Sequence, residues 1–387
     1  MRSLTASRVD APPAESFEIR DEIETPVLVV DLDVAACNLR EMAGLCRAAG
    51  VELWPHAKTH RTVEYGRLQI AEGASGLTVA RLEEAEAFAA GGIGRIIVAY
   101  PLIGPGRLRR ASALASRADL TLAADSLEGA RALGRHFAGL GQTAGVFMII
   151  DSGQGRDGVV PADAGPLGRE FGRIEGIRLR GVMTHEGHTY EAADAQDLAD
   201  RSRAAARAIV SAAESIRAHG QPVETVSMGC SASARLVAGE PGITQVRPGI
   251  FTFNDLGQIS LGNATAATCA VRVLATVVSH AAPDRAVVDA GSKSLSHDTA
   301  AGLGAERFPG FGRLADLPGW RLHTLSEEHG WLRWTGDGPP TPLSVGQRVQ
   351  ILPNHVCTAF WNLGESVALR DGSVIGRWRT IERAVEP

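Results

Sequence analysis

The sequence predicts an α/β protein: a (β/α)8 barrel of the TIM type followed by a C-terminal all-β domain. Three observations carry this. Strand-like and helix-like segments alternate from about residue 25 to 255. Beyond about residue 262 long helical patterns vanish and short strands follow one another. Polar, glycine-containing clusters recur just after the strand-like runs, where barrel enzymes keep their chemistry.

Taken in order, residues 1–23 read as a leader rich in Ala, Ser and Pro, with pairing to the β domain one option. Met1 to Phe17 lacks the apolar centre of a signal peptide, so a cytoplasmic location is expected. Strands are expected at Val27–Val30, Val51–Trp54, Gly76–Ala80, Arg95–Ala99, Leu120–Ala124, Val146–Ile150, Leu179–Met183, Thr225–Met228 and Thr244–Val246. Ala- and Leu-rich stretches of helical period, such as Arg81–Ala90 and Ala192–His219, lie between them. Repeated strand–helix units imply parallel strands joined by helical crossovers. With Val27–Val30 outside the barrel, eight strands remain, the number that closes one. A doubly wound open sheet is the alternative. The barrel is assigned to residues 24–260 and the β domain to 261–387. In the latter, Val271–Ser279, Arg285–Asp289, Trp320–Leu325, Trp331–Trp334, Arg348–Ile351, Ser366–Leu369 and Val374–Trp378 read as strands split by Gly, Pro and Asp turns.

Composition narrows the function classes. Net charge is −5 with both signs dispersed, which offers no basic stripe for nucleic acid. No apolar run reaches membrane-spanning length. The 5 cysteines are odd in number and show no disulfide framework, which fits a reducing compartment.

Lys58 is the leading candidate for chemistry. It lies in Trp54-Pro55-His56-Ala57-Lys58-Thr59-His60, just after a strand-like run. A lysine in a partly desolvated pocket beside other potential cations becomes a usable amine nucleophile; a solvated surface lysine in a loop is the competing reading. Asp151 through Gly158 form a glycine-rich turn, read equally as a site where Arg156 fixes an anionic oxygen or as a plain turn with an exposed arginine. Thr184-His185-Glu186-Gly187-His188-Thr189-Tyr190 follows the next strand and reads either as a ring-stacking or substrate-recognition loop, or as a hydrogen-bonded structural cluster. Ser227 through Ser233 is a small, hydroxyl-rich loop that opens onto a predicted helix, and Arg247-Pro248-Gly249-Ile250 closes the last strand. Together they have the layout of a barrel phosphate site. In the β domain, His355 and Cys357 follow a strand. On extended backbone residues i and i+2 face the same way. An imidazole with a thiolate suits zinc, in an open site completed by water or substrate; a buried cysteine beside an unrelated histidine is the competing reading.

In this order, Thr25-Pro26 with Asp31-Leu32-Asp33, Pro55-His56-Ala57-Lys58-Thr59-His60, the glycines around Arg156, Arg247-Pro248-Gly249, Asp289-Ala290-Gly291, Glu328-His329-Gly330 and His355-x-Cys357 resemble the D-threonine aldolase and D-serine dehydratase family. The likeness runs from about residue 23 to 380. It implies an alanine-racemase-like barrel, a homodimer, and pyridoxal phosphate held by Lys58 as a Schiff base. It further implies Lys58 and His60 as catalytic residues. Arg156 would face the cofactor's phenolic oxygen, and Gly229, Ser231, Arg247, Gly249 and Ile250 would line the cofactor site. His188 and Tyr190 would touch the ring or the substrate. His355 and Cys357 would bind a divalent metal, zinc by preference over manganese or magnesium. The His-x-Cys pair and the His-Glu-Gly-His-Thr-Tyr loop look more like the dehydratase branch. The implied activity is a lyase reaction on a small D-3-hydroxy amino acid, led by D-serine to pyruvate and ammonia. Its alternatives are D-threonine to glycine and acetaldehyde, a D-3-hydroxyaspartate dehydratase or aldolase, and an amino-acid racemase.

Overall fold

The computed structural model describes residues 23–300, 308–317 and 319–382; residues 1–22 of the expected leader lie outside the described residues. The chain divides into two compact units. One runs from Leu39 to Phe251 and takes the described residues from Arg379 onward. The other takes the described residues through Asn38, Thr252–Ala300 and the described part of Gly304–Trp378.

The first strand of the chain, β1 (Val27–Asp31), belongs to the second of these units and not to the barrel. The barrel strands are β2 (Glu52–Leu53), β3 (Leu77–Val79), β4 (Arg95–Pro101), β5 (Asp119–Ala124), β6 (Ala144–Ile149), β7 (Ile177–Met183), β8 (Thr225–Met228) and β9 (Gln245–Val246). They form one parallel sheet in the order β2-β9-β8-β7-β6-β5-β4-β3. Closure comes just past the end of β2. Thr78 donates its N–H to Pro55 O at 2.9 Å, Ser75 to Leu53 O at 2.8 Å, and His56 bridges Thr78.

The strand residues alternate between two faces with a period of two, except that a register shift after Leu179 changes the phase within β7. Ile96, Val98, Leu120, Leu122, Val146, Met148, Leu179 and Val182 pack with helix residues such as Ala85, Phe88 and Leu133. The alternate positions Ile97, Ala123, Phe147, Ile149 and Met183 cluster with Trp54 and fill the barrel interior. Both faces are therefore apolar, which is why these strands read as continuous hydrophobic runs.

The second unit is a nine-stranded sheet. Its strands after β1 are β10 (Val271–Ala282), β11 (Arg285–Val288), β12 (Gly312–Leu314), β13 (Trp320–Leu325), β14 (Gly330–Trp334), β15 (Arg348–Pro353), β16 (Glu365–Arg370) and β17 (Ser373–Arg379). β1 pairs antiparallel with β10 and parallel with β16. The structure adds elements that the sequence expectation lacks. It adds β12, which is only 3 residues long. It also makes Val356–Leu363 a helix, where the sequence suggests none. Val356, Ala359 and Phe360 are its buried residues, spaced as one helical face; Phe360 meets Phe253 at a ring distance of 5.0 Å. Gly364 ends the helix in the left-handed region at φ 66.

Candidate active site

The polar groups singled out in the barrel all lie just beyond the C-terminal ends of β2, β6, β7, β8 and β9. Chain polarity alone puts them on one face.

Lys58 sits in a single 3₁₀ turn, Ala57–Thr59, directly after β2. The His56 ring caps that turn, with Nδ1 accepting from Lys58 N–H at 3.4 Å. The neighbouring strand extension fixes it further: His56 N–H donates to Pro248 O at 2.9 Å. Gly249 allows this close approach. A Cβ there would lie 2.7 Å from Thr59 Oγ1 and 2.8 Å from His56 O. The Lys58 side chain is exposed, which corrects the expected partly desolvated pocket. A short turn at a barrel mouth points its middle residue outward, whereas Ala57 and Thr59 face in.

His60 has a different setting. Its ring is buried edge-on against Tyr65 and Phe88. Nδ1 accepts from Thr62 N–H at 3.0 Å and Nε2 lies 3.3 Å from Gln69 Oε1. Burial pulls its pKa down to about 4, against the two hydrogen bonds. Nothing in that geometry supports the catalytic part implied for it.

The loops after β6, β7 and β8 lock onto one another. Ser152 Oγ and Thr184 Oγ1 are 2.8 Å apart, and Gln154 Oε1 accepts from Gly187 N–H at 3.0 Å. Arg156 reaches out to Asp157, with Nε 3.0 Å from Oδ1, and its side chain is half-exposed. His188 stands over Gly153, and its Nδ1 is a buried nitrogen with no hydrogen-bond partner. Tyr190 is half-buried in the turn Gly187–Glu191.

The loop Gly229–Ser233 is shaped by a buried carboxylate. Glu186 accepts from Cys230 N–H at 2.5 Å, from Gly229 N–H at 3.3 Å and from the Ser233 hydroxyl. Burial pushes its pKa up, but His185, the Ser233 hydroxyl and the Cys230 N–H outweigh burial and hold the carboxyl below its usual range. Gly229 turns the chain at φ +95, a conformation suited to glycine. Ser231 Oγ then accepts from Gly249 N–H at 3.1 Å and Phe251 N–H at 3.3 Å, on either side of Ile250. Arg247 is buried, donating to Ser227 Oγ at 2.7 Å and to the Thr184 carbonyl. It ties β7, β8 and β9 together. Burial lowers its pKa to about 10.

Lys58, Arg156 and Arg247 act together on the ring of His185. Its pKa falls to about 4, chiefly through burial; Glu186 opposes the fall and the three cations add to it. His56 is likewise held well below its ordinary value by burial, then by Lys58 and Arg247. The mouth thus gathers cations around an exposed amine, with backbone N–H groups of a serine loop alongside. The chemistry of this mouth fits pyridoxal phosphate: an amine for its aldehyde, and a positively charged surround with a small hydroxyl-rich loop for its anionic oxygens.

In the other unit, His355 precedes the helix Val356–Leu363 and Cys357 lies in its first turn. The extended backbone assumed for the pair is therefore corrected. The ring and the thiol are still side by side, because the Cys357 side chain hydrogen-bonds His355. Burial disfavours a charged ring, yet Cys357, Asp255 and Asp298 around it favour a positive charge there, the kind of setting a bound cation would satisfy. Asp255 accepts from Val356 N–H at 3.0 Å and from Gln258 N–H at 2.9 Å, so one carboxylate caps two helices. Among the described residues no three His, Cys, Asp or Glu side chains form a metal cluster. An imidazole and a thiol, two donors only, fit an open divalent site completed by water or substrate, not a closed structural one.

Two family models cover the chain: alanine racemase, N-terminal domain, over residues 30–256, and putative serine dehydratase domain over 270–368. The chain belongs to the D-threonine aldolase and D-serine dehydratase family. It is a pyridoxal-phosphate-dependent lyase. The D-threo-3-hydroxyaspartate dehydratase of Delftia sp. (strain HT23) is 38% identical, over 91% of this chain and 96% of that protein. The D-threonine aldolase of Arthrobacter sp is 31% identical, over 96% of each. The solved structure of the Delftia dehydratase superposes with a TM-score of 0.85 at 35% identity, covering 94% of this chain and 99% of that one. Variant structures of a D-threo-3-hydroxyaspartate dehydratase, 34% identical to this chain, replace a histidine and, two positions later, a cysteine with alanine; the cysteine variant is in the metal-free form.

Three residues of the site carry no separate signal in the sequence. His185 and Glu186 lie inside a loop that stands out for its rings, and only the fold shows that Glu186 points inward. Asp298, at the His355 ring, stands 57 positions earlier in the chain and has no local motif around it.

Proposed function

We propose that this lyase acts on D-3-hydroxy amino acids and is a dehydratase, releasing a 2-oxo acid and ammonia. The observation that carries the reading is the His355 ring beside the Cys357 thiol. Two relatives support it: the Delftia dehydratase is 38% identical, and a D-threo-3-hydroxyaspartate dehydratase variant that lacks a cysteine at the same spacing from a histidine is in the metal-free form. D-serine would give pyruvate, and D-threo-3-hydroxyaspartate would give oxaloacetate.

Bound pyridoxal phosphate supplies an electron sink at the α-carbon, and a divalent ion supplies a Lewis acid for the departing hydroxyl. Lys58 would hold the cofactor through its amine, and as a free amine its Nζ would be the base for the α-proton. Neutral His56, hydrogen-bonded to the backbone of Lys58, holds the turn that carries the amine. Arg156 balances the phenolic oxygen of the cofactor. Ser231, Gly249 and Ile250 receive the phosphate, on a loop that Glu186 keeps in shape. His355 and Cys357 hold the divalent ion, with zinc the best match to a thiolate–imidazole pair.

The Arthrobacter relative favours a second reading, cleavage of D-threonine to glycine and acetaldehyde. Incubation of the protein with D-serine, D-threo-3-hydroxyaspartate and D-threonine, with and without chelator, separates the two. The dehydratase reading expects 2-oxo acid and ammonia in equal amounts, suppressed by chelator. Glycine with aldehyde and no 2-oxo acid would overturn it.

A further inference from the structure

Asp298 is held by hydrogen bonds from its side chain, its N–H and its carbonyl. Its Oδ2 lies 2.8 Å from His355 Nδ1 and 3.2 Å from the Thr358 hydroxyl. Its backbone N–H donates to Ser296 Oγ at 3.1 Å, and the Thr358 hydroxyl reaches that same oxygen at 3.2 Å. The Asp298 carbonyl accepts from the Asn354 amide at 2.9 Å, and the amide also donates to Gly310 O at 2.8 Å. Asn354 and Thr358, which flank the His355–Cys357 segment, are thus tied to Asp298 too. The loop is bent to make this possible. Ser296 sits at φ 66 and ψ 177, a region that is almost reserved for glycine and persists only where the surroundings impose it.

With Nδ1 committed to a carboxylate, one tautomer of His355 is selected and Nε2 is the ring nitrogen left to bind a cation. A carboxylate on the far nitrogen also makes an imidazole a better donor. We infer that Asp298 is the positioning residue of the metal site: through His355 Nδ1 it fixes the ring so that Nε2 and the Cys357 thiolate bind one divalent cation. This rests on the reading of His355 and Cys357 as metal ligands. Ser296 and Thr358 then serve to aim Asp298, a part that accounts for the unusual backbone at Ser296.

The test measures metal binding directly. Full-length protein is stripped of metal and titrated with Co²⁺, following the thiolate-to-cobalt absorbance, and with Zn²⁺ in competition with a chelating dye. Asp298→Ala is expected to raise the dissociation constant about 10–100-fold. Asp298→Asn keeps an oxygen that accepts the Nδ1 proton, so it should fall between Asp298→Ala and the parent, a graded rescue that a general loosening of the loop would not give. The cofactor absorbance band should be the same in all three proteins. If Asp298→Ala does not fold, the Asp298→Asn comparison decides. An affinity within about threefold of the parent in both variants overturns the inference, provided that His355→Ala and Cys357→Ala lose the metal. If those two variants keep parental affinity, the metal reading falls and this inference with it.

Discussion

The carboxylate of Glu186 accepts the backbone N–H of Cys230 at 2.5 Å, across two successive barrel strands. Glu186 is fully buried and ionised, and the N–H groups and hydroxyl around it are the ones that give the Gly229–Ser233 loop its shape. Glu186→Gln replaces one acceptor oxygen by an amide N–H that faces other donors. A buried polar group left unsatisfied costs about 1–3 kcal/mol. The expected outcome is a melting temperature several degrees lower and weaker cofactor retention, read by thermal scans and by titrating pyridoxal phosphate into the stripped protein. Unchanged retention would mean that the loop holds its form without the clamp.

Lys58 presents the opposite case. It is exposed, so Lys58→Ala should change stability by no more than about 0.5 kcal/mol. The same substitution should abolish turnover and the near-visible absorbance of the lysine-bound cofactor. A variant that keeps the absorbance would remove Lys58 from the reaction.

Gly249 tests how the turn is placed. An added methyl would lie 2.7 Å from Thr59 Oγ1 and 2.8 Å from His56 O, and the second neighbour is backbone, which yields least. Gly249→Ala should cost about 1–3 kcal/mol and lower cofactor affinity. Equal affinity and stability would show that the two strand extensions separate freely.

Acid should destabilise the barrel through its buried imidazoles. The pKa of His60 is about 4 in the fold against an ordinary 6.5, so the unfolded chain binds the extra proton between those values. Stability is complete above about pH 6.5 and declines as the pH falls towards 4, by about 3 kcal/mol for this one group. His185 has the same sign and range. Unfolding by urea at steps from pH 7 to 4 measures the slope. His60→Asn keeps an acceptor for the Thr62 N–H and should flatten part of the slope; an unaltered slope would assign the acid sensitivity to other groups.

Much of the barrel is legible in the sequence because its strands are buried on both faces. Val146–Ile150 and Leu120–Ala124 stand out as apolar runs for that reason alone. Which residue faces the helices and which the interior is not legible there, since a run without polar residues gives no phase. The Val356–Leu363 helix escapes a sequence reading because two turns offer little periodicity, and because His355 and Cys357 suit an extended chain equally well. His60, between Thr59 and Arg61, looks as available as Lys58. Its neighbours in space, Tyr65, Gln69 and Phe88, are what remove it from solvent.

By itself the sequence determined the architecture, the lysine after the second strand, and the histidine and cysteine two positions apart. These are short-range facts, written in hydrophobic period and in motifs of a few adjacent residues. Only the tertiary structure decided which carboxylates serve them. Glu186 reaches Cys230 and Asp298 reaches His355 over separations of 44 and 57 residues, and hydrogen-bond partners so far apart are chosen by how the strands and loops close, not by any spacing along the chain.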